Sequence, residues 1–264
     1  MPGVRPPVPL RGERVVAPGV EGAWGYRWGF TTRRGGVSAP PYDALNLGGA
    51  VGDDPAAVAA NRSAVAATYD VPPPRLIFMA QCHGTRVVRV DGPWEGDPPA
   101  CDAVVTTRGD VALAALVADC TPVLLVDPVA GVAAAVHAGR PGMTDGVVGE
   151  TVGALRDLGA RDLRAVVGPA VCGRCYEVPQ EMVAAAARRS PVSATVSWTG
   201  TPAVDVAAGV VDQLVRAGVA VDWVPGCARE DPDLYSYRGD GLTGRSAGVV
   251  RLLAPTSPEP GGTS

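Results

Sequence analysis

The sequence predicts an α+β fold, a single domain of mixed β-sheets flanked by helices. Three observations carry that prediction. Short apolar runs of strand length recur along the chain, helical patterns interrupt them irregularly, and the early turn signals suit hairpins more than crossovers. A doubly wound parallel sheet would need a steadier alternation of strand and helix. At 264 residues the chain fits one large unit, and no linker-like stretch divides its middle. The domain is expected over residues 13–254. The Pro- and Arg-rich residues 1–12 and the Pro/Gly/Ser-rich residues 255–264 are expected to be flexible ends.

In chain order, residues 24–32 alternate aromatic and small side chains and read as a strand, followed by the turn Arg33-Arg34-Gly35-Gly36-Val37-Ser38. Asp53 or Asp54, with Pro55 after it, signals the start of a helix running to about Tyr69. Apolar runs at 75–80, 86–90 and 103–106 read as strands, as do 111–117, 122–126 and 131–136. The segment Asp127-Pro128-Val129-Ala130-Gly131 has turn chemistry between the last two. A hairpin closed about positions 128 and 129 puts Cys120 directly across from His137, at the 4.5–5.5 Å that separates cross-strand Cβ atoms. Residues 143–158 form a helix with Val147, Val148, Val152 and Leu155 on one face, 163–167 a buried strand, and 180–189 and 203–217 two further helices.

Composition excludes several kinds of function. All 23 basic residues are arginine, so chemistry built on a lysine Schiff base or a P-loop lysine is absent. A net charge of −4 argues against general nucleic-acid binding. No apolar run approaches the ~18 residues of a membrane span, and the first residues lack the apolar core of a secretory signal, so a cytoplasmic protein is expected. Six cysteines are too sparse for a disulfide framework in a chain of this length. No Gly-x-Gly-x-x-Gly or Walker pattern follows a strand, which removes the usual sequence support for NAD or ATP.

The only two histidines are His83, in Gln81-Cys82-His83-Gly84, and His137, in Val136-His137-Ala138-Gly139, with Cys120 between them in Ala118-Asp119-Cys120-Thr121-Pro122. Two imidazoles and a thiolate form the ligand set of a catalytic zinc that keeps one position for water. Zinc so held lowers the pKa of its water towards about 7. The same residues permit a metal-independent cysteine hydrolase, with Cys120 as nucleophile and His137 as its base.

Other residues carry weaker signals. Cys172-Gly173-Arg174-Cys175 has the spacing of half a zinc ribbon, but no second Cys-x-x-Cys or His pair completes it, so a structural metal is not expected there. Glu177 is an acid/base candidate that reads more simply as a solvated or capping carboxylate. Arginines 33, 34, 62, 140, 238 and 245 lie near Gly-rich or polar turns, and their bidentate donors suit phosphate, although a surface role is the default for any one of them.

With these residues in place, the pattern resembles the YfiH family, also labelled the laccase-domain or multicopper polyphenol oxidase family. The resemblance runs through Thr31-Thr32-Arg33-Arg34-Gly35-Gly36-Val37-Ser38, Leu45-Asn46-Leu47, Asn61-Arg62, Gln81-Cys82-His83-Gly84, Ala118-Asp119-Cys120 and His137-Ala138-Gly139. It continues with Gly168-Pro169, Tyr176-Glu177-Val178, Tyr235-Ser236-Tyr237-Arg238 and Thr243-Gly244-Arg245. It implies a YfiH-like α/β assembly with mixed sheets and zinc on His83, Cys120 and His137. The implied activity is phosphorolysis of adenosine, inosine, guanosine and methylthioadenosine, with adenosine deamination as a companion; for such substrates Arg62, Arg140 and Arg238 are the candidates for phosphate or ribose contacts. Where the family usually continues His-Ala-Gly with Trp-Arg-Gly, this chain has Arg140-Pro141-Gly142. The aromatic platform is lost and the guanidinium moves by one position, which keeps open a third class, a non-catalytic nucleoside- or metal-binding protein. Two histidines cannot supply a multicopper oxidase, and copper taken up in vitro by a His/Cys set would not establish one.

Overall fold

The computed structural model describes residues 10–16 and 22–255. The chain opens with β1 (Leu10–Val16) and β2 (Gly25–Thr31), then α1 (Pro55–Thr68), capped by the Asp54 side chain on the Ala56 N–H. Four strands follow: β3 (Leu76–Ile77), β4 (Val87–Arg89), β5 (Ala103–Thr106) and β6 (Ala112–Val117). The hairpin β7 (Thr121–Asp127) and β8 (Val132–Ala138) leads into α2 (Arg140–Asp145), α3 (Val147–Asp157) and β9 (Arg164–Val167). Then come α4 (Gln180–Arg189), the small hairpin β10 (Ala194–Val196) and β11 (Pro202–Val204), and α5 (Val206–Arg216). The chain ends in β12 (Ala220–Trp223), the single turn α6 (Tyr237–Asp240) and β13 (Ser246–Leu253).

Two mixed sheets stack on each other, one ordered β1-β2-β13-β6-β3 and the other β12-β9-β7-β8-β5-β4. In the first only β3 and β6 run parallel; in the second β12 with β9, and β4 with β5, are the parallel pairs. The mixed α+β architecture read from the sequence is therefore the observed one. Alternation along each strand builds three cores. In β8, Val132, Ala134 and Val136 face α2, α3, α4 and α5, whereas Ala133 and Ala135 meet Trp28, Leu113 and Leu252 between the sheets. Ala112, Ala114 and Val249 on the outer face of the first sheet pack on Val65, Ala66 and Tyr69. A strand buried on both faces reads as an unbroken apolar run, which is why 131–136 lacks a polar alternation.

Several boundaries differ from the expectation. β1 begins at Leu10, inside the segment 1–12 expected to be flexible, and pairs with β2 through Leu10 and Thr31. Residues 1–9 and 256–264 lie outside the described residues. The helix expected over 143–158 is two helices, divided at Gly146 with φ +110°. The Arg189 guanidinium takes the space a side chain at 146 would need and donates to the Asp145 carbonyl at 2.8 Å. α5 starts at Val206, not 203, because Asp205 caps it through the Ala208 N–H and residues 202–204 pair with β10. Among the described residues no helix is long and apolar enough to cross a membrane.

The hairpin register also departs from the sequence reading. Thr121 pairs with Ala138 and Pro122 with His137, so Cys120 is not directly opposite His137. The cause is the turn: Asp127 accepts from the N–H groups of Val129 and Ala130, and Gly131 takes φ +65°, giving a four-residue loop in place of two. The displacement is even, so Cys120 and His137 keep the same face of the sheet.

Candidate metal centre and its surroundings

His83, Cys120 and His137 come from three separate segments, yet their ligand atoms lie within 4.8 Å of one another. His137 is the penultimate residue of β8, on the face between the sheets, and is only 3 % exposed. Cys120 precedes β7, and His83 sits on the loop between β3 and β4 with φ +62°. A left-handed backbone at a residue other than glycine persists where its surroundings over-determine it. Here Gln81 bonds both the N–H and the C=O of Leu116, at 2.7 and 2.8 Å, which ties the loop to β6.

The second restraint is Asp102, fully buried just before β5. Its carboxylate accepts from the N–H of His83 at 2.9 Å, of Gly84 at 2.6 Å and of Cys82 at 3.2 Å. Successive N–H groups turned inward in this way cradle an anion. The same carboxylate takes His137 Nδ1 at 2.8 Å. One acid thus orients both histidines, fixing the His83 backbone and engaging His137 through Nδ1, which leaves Nε2 for the cluster. Burial would raise the Asp102 pKa, but the bonds from His137, Cys82 and Gly84 outweigh it and hold the carboxyl well below the usual range.

Two glycines in the neighbouring turn allow close approaches. A Cβ at Gly139 would lie 2.5 Å from His83 Cδ2 and 3.4 Å from Cys120 Sγ, and one at Gly142 would lie 2.9 Å from the Gly84 carbonyl. The short His-Ala-Gly string therefore reflects a place where two loops touch. Cys120 is set by Asp119, at φ +88°, whose carboxylate accepts from Ser236 Oγ and the Arg238 N–H, each at 2.6 Å.

The geometry suits a tetrahedral thiophilic ion. Sulfur and nitrogen bound to one zinc lie about 3.6 Å apart, from the usual bond lengths and angle, and Cys120 Sγ is 3.7 Å from His83 Nε2. Burial opposes charge on Cys120, but contacts from His137 and His83 outweigh it and bring the thiol down to about 6. His137 is also disfavoured as a cation by burial, yet the bond to Asp102 and the contact with Cys120 raise it to about 9. The thiol is thus predisposed to give up its proton to a ligand role. His83 is exposed, so the cluster opens on that side.

The arginines are less convergent. Arg62 donates through Nε to the Leu47 carbonyl and stacks 4.2 Å over Phe78, with burial lowering its pKa; neither contact reaches the cluster. Arg238 is exposed and stacks 4.9 Å over Tyr176, and its backbone N–H meets the Asp119 carboxylate beside Cys120. Arg140 opens α2, three residues after His137, and its guanidinium has no hydrogen bond or ion pair among the described residues. The arginine whose charge is felt at both Cys120 and Asp119 is Arg245, which the sequence reading did not select. Its neighbour Tyr237, 5.8 Å away, also lies beside Arg238. Asp102 was missed as well: a lone Asp before an apolar run carries no local signal. Glu177 accepts from Thr199 Oγ1 at 2.7 Å, and the hydroxyls of Thr199, Ser197 and Thr201 depress its pKa to about 2. It anchors the 197–201 loop as an ionised group.

Known proteins bear on these observations. The family described as multi-copper polyphenol oxidoreductase laccase matches residues 27–253. A purine nucleoside phosphorylase of Streptomyces coelicolor is 56 % identical over 232 residues, covering 86 % of this chain and 96 % of the relative. One from Mycobacterium tuberculosis is 50 % identical over 223 residues, covering 83 % and 89 %. A Neisseria meningitidis crystal structure superposes with a TM-score of 0.81 at 33 % identity, covering 92 % of this chain and all of that one. The Bacillus licheniformis hypothetical protein YfiH gives 0.79 at 28 %, covering 87 % and 96 %. With the mixed sheets, the paired histidines and these matches in agreement, the chain belongs to the multi-copper polyphenol oxidoreductase laccase family, the YfiH family of the sequence reading.

Proposed function

We propose that residues 13–254 form a zinc-dependent purine nucleoside phosphorylase acting on adenosine, inosine, guanosine and methylthioadenosine, with adenosine deamination as a companion reaction. The observation that carries the reading is the convergence of His83, Cys120 and His137, with Asp102 behind His137, on a cluster open to solvent at His83. The name borne by the relatives supports the substrate class. A chain with two histidines has too few imidazoles for multicopper chemistry. All six cysteines are free thiols, which supports a reducing, cytoplasmic setting.

In phosphorolysis a phosphate oxygen bonds to ribose C1′ while the bond from C1′ to purine N9 breaks, and the purine leaves with the electron pair and gains a proton. In deamination water replaces the amino group at C6 and ammonia departs. When bound by the three side chains, zinc supplies Lewis acidity at the open side of the cluster. Asp102 holds a proton on His137 Nδ1, so that Nε2 is the nitrogen that would be offered to the ion on giving up its own proton. Phosphate and ribose fall to Arg62, Arg140 and Arg238, joined by Arg245, whose charge lies near Cys120.

The test is metal content by mass spectrometry on the protein and on Cys120→Ala, with a chromatographic assay of adenosine plus phosphate. Loss of one zinc per chain together with loss of adenine and inosine formation supports the reading. Turnover that survives chelation but not Cys120→Ala overturns it in favour of the cysteine hydrolase using Cys120 and His137. A zinc-loaded protein inert on every purine nucleoside makes it a binding protein.

A further inference from the structure

The Cys172-x-x-Cys175 pair, incomplete in the sequence, is completed in three dimensions. Cys227 and Glu230 lie beside it, and the four ligand atoms fall within 4.8 Å of one another. The second pair has the same spacing as the first, Cys227-Ala228-Arg229-Glu230. Each forms a tight turn: the Cys175 N–H donates to the Cys172 carbonyl at 2.9 Å, and the Glu230 N–H to the Cys227 carbonyl at 3.1 Å. Two such turns facing each other are the usual way a chain delivers four ligands to one ion.

The turns are locked in register. Ala170 and Cys227 form a parallel bridge, with the Ala228 N–H donating to the Ala170 carbonyl at 3.0 Å and the Ala170 N–H to the Gly226 carbonyl at 3.3 Å. The Arg229 guanidinium donates to the Cys175 carbonyl, and a Cβ at Gly173 would lie 2.7 Å from Asp205 Cβ. The distances match a shared tetrahedral ion. Sulfur and carboxylate oxygen on one zinc lie about 3.6 Å apart, and Cys175 Sγ to Glu230 Oε1 is 3.4 Å. Cys175 is 5 % exposed, and Trp198 Nε1 holds the same Glu230 oxygen at 3.2 Å.

We propose that Cys172, Cys175, Cys227 and Glu230 bind a second, structural zinc ion, separate from the His83, Cys120 and His137 cluster. Three thiolates and a carboxylate fill all four positions, so the site holds no place for a substrate. Its position gives it a role. The loop it pins begins at Val171, whose N–H bonds the Asp119 carbonyl at 2.9 Å, and the segment after Glu230 leads to Ser236 and Arg238, which hold the Asp119 carboxylate. The ion therefore joins the two segments that set the backbone before Cys120.

The experiment is zinc stoichiometry of the full chain, purified under reductant, for the wild type, Cys120→Ala, Cys227→Ser and the double variant. Two zinc ions in the wild type, one in each single variant and none in the double variant are expected, with lower thermal stability for Cys227→Ser. One zinc in the wild type, kept in Cys120→Ala and lost in Cys227→Ser, supports this site while refuting zinc at the histidine cluster. Should Cys227→Ser not fold, Cys120→Ala is stripped and reloaded with Co²⁺, and the intensity of its thiolate charge-transfer band, which grows with each bound thiolate, must correspond to three cysteines of the five that remain. Absence of bound metal and of that band in Cys120→Ala overturns the proposal. So does a disulfide among Cys172, Cys175 and Cys227 in the reductant-purified protein, seen by peptide mass.

Discussion

Replacing Asp102 by Asn tests the central geometric argument, because one carboxylate serves two loops. Its Oδ1 accepts from His137 Nδ1 and the His83 N–H, and its Oδ2 from the Gly84 N–H and the Cys82 thiol. An amide of the same shape must turn its NH₂ towards one of those pairs, setting donor against donor in a fully buried place. Leaving a buried donor unsatisfied costs about 1–3 kcal/mol, so for the two donors of one pair a loss of roughly 2–6 kcal/mol in unfolding free energy is expected. Losing the acid behind a ligating histidine weakens metal binding by about 10–100-fold. Urea unfolding measures the first and competition with a chromophoric chelator the second, with the wild type as reference and metal-depleted samples for the unfolding series. An Asn variant with unchanged zinc affinity would refute the claim that Asp102 orients His137, even if its stability fell. An unchanged stability would refute the cradle around His83.

Two further outcomes follow from the same contacts. Gly139→Ala places a methyl 2.5 Å from His83 Cδ2, and because His83 is exposed its ring can swing away. Zinc affinity should fall at least about tenfold with unfolding free energy changed by less than about 1 kcal/mol; a variant with full affinity would show that His83 is not a ligand. Asp127, buried at the β7–β8 turn, accepts four backbone N–H bonds, from Val129, Ala130, Arg161 and Asp162. Burial raises its pKa, but those bonds outweigh it and hold the carboxyl below its ordinary value. Its stabilisation is therefore complete above the ordinary carboxylate pKa of about 3.9 and is lost as pH falls through the lower folded value. Asp127→Asn should cost about 2–4 kcal/mol at neutral pH and flatten the acid limb of the stability curve; an unaltered acid limb would remove Asp127 from that role.

The local parts of this protein were legible because local rules decide them. Asp54 and Pro55 announce α1, Gln180–Arg189 has a helical pattern of its own, and the apolar runs before and after Asp127 become β7 and β8. The rarity of histidine drew attention to His83 and His137, and Cys120 fell between them. What the sequence alone determined is thus the α+β class, most helices and strands, and the three side chains that converge. Only the tertiary structure decided how they converge. The register between Pro122 and His137 depended on a turn two residues longer than symmetry suggests, shaped by Asp127 and Gly131. Asp102 acquires its role from a loop nearly 20 residues earlier and a strand 35 residues later, and β13 joins β2 and β6 from the far end of the chain. Cys172 and Cys175 looked like half a site because their partners stand 55 residues on. Pairing across such separations is set by which buried donors and apolar faces find one another when the sheets close, and no local propensity records it.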